Sequence, residues 1–365
     1  MAAAVNLAES VQESTAAVED VPAPPEVETE GPVEKRRRAP QGRTTQVHMF
    51  REGSLDDHVP LDRIPALVRD DANLAWIDLS EYPRADFQHV ADLLGLHPLT
   101  VRATLADWER PRVDVFPAYF YMSVTVVDAD QARRKLVARE LNIVVARNFL
   151  ITAHKSSMPF TEKIRDRLRQ SPEVATLHTA YGLYIVLGEL LEHYAGLFEH
   201  IDEEIERVEE AALTETSDRF LEDLLALKRY IFVLSRFAEQ HRSVFAVLTR
   251  PDFTHVSGER IEPYFKDLQE DLARLIDRLS AARESVTDAF DIYVSQVSHR
   301  TSQLLRVLTL ISTVVLPATL VVSFFATSFT WTHALYSFPA FLVMLLLAIG
   351  LPTGILLFIR ARKLV

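Results

Sequence analysis

Ser302, Leu305, Thr309, Ser312, Leu316, Thr319 and Ser323 recur in steps of three and four, which places hydroxyl and bulky apolar side chains along one stripe of a helix. In lipid such a stripe has two readings. Small hydroxyl residues let helices pack closely, or a ring of identical chains turns the stripe inward as the wall of a pathway. A second set, Glu192-His193 and Glu199-His200 with Glu203 and Glu204, repeats after seven residues and shares one helical face. Imidazoles and carboxylates together are zinc ligands. On so acidic a helix, composition favours a solvated face. Catalysis has no anchor: there is no Cys, so no thiolate, disulfide or Cys-bound zinc, and no GxxxxGK[ST], GxGxxG, GxSxG or HExxH pattern. The chain is not expected to be an enzyme. Its 39 Lys+Arg against 51 Asp+Glu, a net charge of -12, also argue against a general nucleic-acid binder.

The elements that must position the stripe follow from charge and hydropathy. From residue 307 to 359 there is no Asp, Glu, Lys or Arg. Residues 307–329 and 334–359 are each long enough to cross the hydrocarbon core, and the loop 330–333 between them is too short to cross back. The two spans therefore form a hairpin. Arg300 and Arg306 precede it, and Arg360, Arg362 and Lys363 in the terminal segment 360–365 follow it. The basic bias places both outer ends in the cytoplasm, with Trp331 and Tyr336 at the far interface.

Residues 263–329 read as one helix, a stalk that becomes the first span at about 307. Leu268, Leu272, Leu275, Leu279, Ala282, Val286, Ala289 and Tyr293 form its seam. At 1.5 Å per residue the rod is on the order of 100 Å long, so half of it must stand outside the bilayer. Residues 1–45, rich in Ala, Glu and Pro with a basic run at 35–38, read as a disordered tail. They lack the basic start and apolar run of a signal peptide, so the region before the spans is expected to be cytoplasmic. Residues 46–160 carry β-branched runs at 74–79, 118–127, 135–148 and 149–154 around helical segments at 87–96 and 98–108, a mixed α/β domain. Residues 161–262 are helical, with a short helix, a long one over 176–213 and another over 218–248. The expected fold class is an α+β membrane protein.

LGLHPLTVRATL (94–105), RPRVDVFPAYFYM (110–122), ELNIVVARNFLIT (140–152), YFKDL (264–268) and DIYVSQVSHRTSQLLRVLTLISTVVLPATL (291–320) resemble, in order, segments of the CorA-type magnesium channels and the related ZntB zinc transporters. The likeness covers roughly residues 74–365. It implies a homopentamer in the inner membrane with a cytoplasmic α/β funnel. The stalk helix would continue into a pore-lining first span, with the second span outside it, and the cargo would be divalent cations such as Mg, Zn, Co or Ni. By the same resemblance Asp291 matches a cytoplasmic acidic ring, Leu305, Leu308 and Leu316 match hydrophobic constrictions, and Ser302 stands where the family has a polar Asn.

Three family features are altered. The Gly-Met-Asn signature at the outer end of the first span falls on Ala326-Thr327-Ser328, which offers a hydroxyl in place of an amide. The loop that follows carries His333 where the family has acidic residues. The family's regulatory metal site joins a stalk Asp, matched by Asp267, to a funnel Asp, matched by Ala103 beside Arg102. One carboxylate holds a divalent ion weakly, so magnesium-sensing closure is not expected, and Arg102 could pair with Asp267 directly. A ZntB-type proton- or zinc-linked carrier and a non-conducting membrane sensor or scaffold are the rival readings.

Overall fold

The computed structural model describes residues 28–29, 44–51, 54–56, 59–70, 73–106, 110–130, 135–171, 173–253, 255, 260–326, 342–343, 345–350 and 352–354. They fall into two compact units. One contains 218–288 together with the described residues up to 210; the other contains 211–217 and the described residues from 289 on.

The first unit is built on a mixed eight-stranded sheet. Its strands are β1 (Glu28–Thr29), β2 (Thr44–Arg51), β3 (Ser54–Asp56), β4 (Asn73–Ser80), β5 (Arg112–Val115), β6 (Tyr119–Asp130), β7 (Lys135–Ala146) and β8 (Phe149–His154). They are ordered β3-β2-β4-β8-β7-β6-β5, with β1 alongside β7. Only β4–β8 and β1–β7 are parallel. Strand β4, NLAWIDLS, is buried on both faces, as an unbroken apolar run in the middle of a covered sheet should be. The β1 pair, Glu28 on Val137 and Thr29 on Ala138, lies within the segment read from composition as a tail.

A short helix α1 (Ile64–Leu67) precedes β4, and α2 (Arg84–Leu94) and α3 (Pro98–Leu105) follow it. Phe87, Val90, Ala91 and Ala103 of α2 and α3 join Val47, Ile77, Leu79, Val144 and Ile151 in one apolar cluster on that face of the sheet. Gly95 ends α2 at φ 67°, the left-handed conformation a side chain resists. Pro98 opens α3, where its missing N–H costs nothing, and the His97 ring accepts from the Leu99 N–H at 3.2 Å. The Tyr119 hydroxyl ties this turn to the sheet, 2.7 Å from the His97 N–H and 2.8 Å from the Thr100 hydroxyl.

Helices α4 (Thr161–Gln170), α5 (Val174–Ala212) and α6 (Asp218–Leu248) follow. Helix α5 comes close on the opposite face: Thr179 Oγ1 donates to the Ala146 carbonyl at 2.7 Å, and a Cβ on Gly182 would stand 3.1 Å from Leu150 Cδ2. Beyond Ser123, where β5 ends, β6 would have a bare edge. Side chains cover it. The Thr125 N–H donates to His241 Nε2 at 2.9 Å, the Tyr194 hydroxyl donates to the Thr125 carbonyl at 3.2 Å, and His193 Nε2 stands 2.8 Å from the Val127 carbonyl. His241 is fully buried, and burial lowers its pKa to about 4, against the opposing pull of its bonds to Phe237 and Thr125. It accepts at Nε2 and therefore donates from Nδ1 to the Phe237 carbonyl, 2.8 Å away.

On the α5 face, the two central parallel strands hold a buried polar chain. Trp76 Nε1 donates to Thr152 Oγ1 at 3.0 Å, Thr152 donates to Asp78 Oδ1 at 2.5 Å, and His154 Nε2 lies 3.2 Å from the same oxygen. His154 Nδ1 lies 2.6 Å from the Ser156 carbonyl, so both ring nitrogens face acceptors. Burial alone would lower the His154 pKa. The hydrogen bond and charge of Asp78, the Ser156 carbonyl and the charge of Glu81 outweigh it, and the pKa is raised.

The last helix, α7 (Glu262–Ala326), is continuous through 263–326 of the stretch 263–329 read as stalk and first span; residues 327–329 lie outside the described residues. The predicted seam residues from Leu268 to Tyr293 are all buried. Among the described residues α7 is the one helix long and apolar enough to cross a membrane, and none of its most apolar stretch is covered by the chain. Of the second predicted span, the described residues 342–343, 345–350 and 352–354 are helical.

Candidate ion-conducting face of helix α7

At 3.6 residues per turn, Asp291, Ser302, Leu305, Leu308, Thr309, Ser312, Leu316, Thr319 and Ser323 occupy a sector of roughly 120° on α7. The opposite side carries Val307, Leu310, Ile311, Val314, Ala318 and Val321, with no polar atom among their side chains. Both sides are exposed within one chain: Leu305, Leu308 and Leu316 are 58%, 59% and 68% exposed, and Val307 and Ile311 are 54% and 55%. Exposure therefore does not choose a face. Chemistry does, since a span with hydroxyls on one side and only aliphatic carbon on the other has one side suited to lipid.

The hydroxyls are not equivalent. Thr309 Oγ1 donates to the Leu305 carbonyl at 2.8 Å and Thr319 Oγ1 to the Val315 carbonyl at 2.8 Å. Their protons are turned into the helix, so what they present outward is oxygen lone pairs, the polarity a cation or its water shell accepts. Pro317 lies inside the helix and has no N–H, so the Thr313 carbonyl loses its i+4 donor. Thr309, Ser312, Thr313, Leu316 and Pro317 line an open groove of about 410 Å³ on this side. That local break was legible in the sequence as a proline within an apolar span.

Of the signature-equivalent residues, Ala326 is the last residue of α7, and Thr327 and Ser328 lie outside the described residues, as do loop residues 330–333. Asp291 is exposed. Asp267 is exposed on α7 and Ala103 is buried in the apolar cluster, so the side chain at 103 packs into the core while its neighbour Arg102 faces out. Asp267 and Arg102 form no ion pair among the described residues. Near Asp267, Tyr184 packs its ring 5.1 Å from that of Tyr264, and burial followed by the Asp267 charge raises the Tyr184 pKa.

The Glu/His set on α5 does not converge. His193 is engaged with the Val127 carbonyl, Glu192 is bound by Arg167 at 3.0 Å, and Glu199 and His200 are exposed. Among the described residues no group of three or more His, Asp or Glu side chains could hold a metal ion. Sequence reasoning missed a cleft between α3 and β5, about 460 Å³, lined by Leu99, Arg102, Arg112, Asp114 and Val115 among others.

Among the described residues, one helix is long and apolar enough to cross a membrane, and its hydroxyls lie toward one side. Residues 71–362 match the family model described as CorA-like Mg2+ transporter protein. The chain belongs to that family. Family members are membrane ion transporters, not enzymes. Among curated relatives, the cobalt/magnesium transport protein CorA of Thermotoga maritima is 26% identical over 282 residues, covering 76% of this chain and 80% of that protein. Among solved structures, the complete CorA magnesium transporter of Methanocaldococcus jannaschii superposes with a TM-score of 0.72 at 17% identity, over 88% of this chain and 98% of that one. The ZntB cytoplasmic domain of Vibrio parahaemolyticus gives a TM-score of 0.54 at 12% identity, over 70% of this chain and 99% of that one. At these identities the two structures establish the shared CorA-type fold.

Proposed function

We propose that five copies of this chain surround a common axis in the inner membrane, with both termini cytoplasmic, and form a channel for divalent cations along the hydroxyl-bearing face of α7. The observation that carries this reading is a membrane-length helix with hydroxyls toward one face and, among the described residues, no cover over its most apolar stretch. Five Asp291 carboxylates at the cytoplasmic end would create a strong negative field that gathers cations. Rings of Leu305, Leu308 and Leu316 would narrow the path and close it by dewetting. Thr309 would offer an acceptor oxygen between these constrictions, and Thr319 one beyond Leu316.

Magnesium and cobalt are the first cargo to test, because the Thermotoga maritima relative is named for them. Ala326-Thr327-Ser328 lacks an amide carbonyl at the outer mouth, so discrimination among Mg²⁺, Co²⁺, Ni²⁺ and Zn²⁺ is expected to be poor. Reconstitution in liposomes tests this. Uptake of at least two of the four ions is expected, with Asp291→Ala lowering the initial rate several-fold at low ionic strength and less at high, because the acidic ring acts through a screened field. Absence of uptake of any ion would favour a sensor or scaffold. Uptake of zinc alone, coupled to a pH gradient, would favour a ZntB-type carrier.

A further inference from the structure

Helix α6 turns to solvent a stripe that its packing on the sheet does not use. Leu225, Arg229, Phe232 and Arg236 recur in steps of four and three, within a sector of roughly 60°. Phe232 is 47% exposed between the two arginines, and Leu225 is half-buried. Neither arginine forms an ion pair among the described residues. Glu222 and Glu239 bound the stripe at its ends, and Glu239 is already held by Arg242 at 3.0 Å. A phenyl ring flanked by two guanidinium groups fits a ligand that brings apolar side chains and carboxylates together. The chain supplies one. Residues 1–27, outside the described residues, carry Glu9, Glu13, Glu19, Asp20 and Glu26, with no Lys, Arg or His, and intersperse them with Leu7, Val11, Val18 and Val21.

The place where that segment joins the sheet puts it within reach of α6. Glu28 pairs with Val137 of β7, and Val137 pairs with Asp128 of β6, so Glu28 lies two strand spacings, about 10 Å, from Asp128. Asp128 stands close to α6: burial, and then the Asp128 charge, push the pKa of Tyr230, the neighbour of Arg229, up to about 12. Residues 22–27, at about 3 Å each, span up to roughly 20 Å, enough to carry the preceding residues across. We propose that residues 5–21 dock on the Leu225–Arg236 stripe of α6 in the same chain, with Leu225 and Phe232 receiving the valines and leucine and Arg229 and Arg236 the carboxylates. A tether of this length holds the segment at an effective concentration on the order of millimolar, so a surface too weak to capture a free peptide is filled by its own chain. The contact depends neither on the number of copies nor on the ion pathway, and salt weakens it.

Cleavage after Glu9 by a glutamate-specific protease reads the docking in the full-length protein in detergent, because the rate tracks the undocked fraction. Arg229→Glu with Arg236→Glu, two exposed helix positions, should speed that cleavage by about tenfold or more. Adding Glu13→Arg and Glu19→Arg to the same chain should restore slow cleavage, which a merely misfolded α6 would not allow. Raising salt to about 0.5 M should speed cleavage of the unmodified protein and leave the Arg229→Glu/Arg236→Glu variant unchanged. The chain contains no Cys, so Ser14→Cys with Ala226→Cys, an exposed position beside the stripe, introduces the only thiols present. A short bis-maleimide should join them within one chain, giving a product of single-chain mass. A covalent dimer would overturn docking in the same chain and assign the stripe to a neighbour's segment. Equal cleavage rates in the unmodified protein and the Arg229→Glu/Arg236→Glu variant, or failure of the charge swap to restore protection, would overturn the docking itself.

Discussion

Leu316→Gly should raise divalent-cation uptake into liposomes by about tenfold or more, equivalent to removing roughly 1.4 kcal/mol from the barrier to permeation. Leu316 is 68% exposed in a single chain and sits beside Pro317, at the edge of the groove that also contains Thr309, Ser312 and Thr313. In a ring, five isobutyl groups at this level would exclude water, and an ion cannot pass a dry constriction without shedding its shell. Glycine removes that apolar wall. It also weakens the helix by about 1 kcal/mol, so Leu316→Ala, which keeps helix propensity and removes most of the apolar volume, is the companion variant and should show a smaller increase in the same direction. Stopped-flow uptake of Co²⁺ with an entrapped metal-sensitive dye reads both. Unchanged rates in variants that remain oligomeric would remove Leu316 from the pathway.

The second large effect is on folding. Asp78→Ala should destabilise the sheet-bearing unit by about 3–5 kcal/mol, the usual cost of stripping one partner from a buried charged pair. Asp78 and His154 are 3% and 2% exposed, and Thr152 and Trp76 are bonded into the same chain. Removing the carboxylate leaves the His154 imidazole with only the Ser156 carbonyl and the Glu81 charge to offset its burial. Replacing both partners, Asp78→Leu with His154→Leu, should recover much of the loss. Urea titration followed by tryptophan fluorescence measures both, and a loss below about 1 kcal/mol for Asp78→Ala would contradict a buried pair.

The pH dependence has two opposed parts. The His154 pKa is raised in the folded chain, so its contribution is present below pH 6.5 and is lost as pH rises through the folded value. The His241 pKa is lowered from 6.5 to about 4, so its contribution is present above pH 6.5 and is lost as pH falls toward 4. Asp78→Ala abolishes the first part and should leave acid sensitivity set by His241.

How much of this could be read from residues alone varies by element, for physical reasons. LAWIDL, AYFYMSVTVV and FLITAH announce β4, β6 and β8 because central strands must be apolar and β-branched. The seam from Leu268 to Tyr293 announces α7 because its period matches the helix. Strand β2, TTQVHMFR, is half polar, with His48 stacked on Trp76 at 4.8 Å, and only its neighbours make it a strand. Strand β5, RVDV, is an edge strand whose charges give no strand signal. The polar chain of Asp78, Thr152 and His154 joins residues some 76 positions apart across parallel strands, and no local pattern reports it. His193 looked like one member of a zinc set, and its role as a hydrogen-bond donor to a bare strand edge exists only once α5 packs against β6.

The spacing of the candidate stripe is legible in the sequence, because its positions lie on one continuous helix that keeps its period. Its partners were not, because the copies that would complete it are absent from a single chain. Ala103 illustrates the same limit at short range: on α3, burial falls on Thr100, Ala103 and Thr104, which turns Ala103 into the core and leaves Arg102 outside.

The account stands on the orientation of the first span, and the absence of native Cys makes that orientation directly measurable. Ser312→Cys lies on the hydroxyl face and Val314→Cys lies about 160° away around the helix. Each variant is reconstituted in liposomes and treated with a charged, membrane-impermeant methanethiosulfonate while Co²⁺ uptake is followed. Modification should stop uptake in Ser312→Cys and leave Val314→Cys at its starting rate. Block at Val314→Cys with none at Ser312→Cys would place the pathway on the other side of the helix and contradict the account.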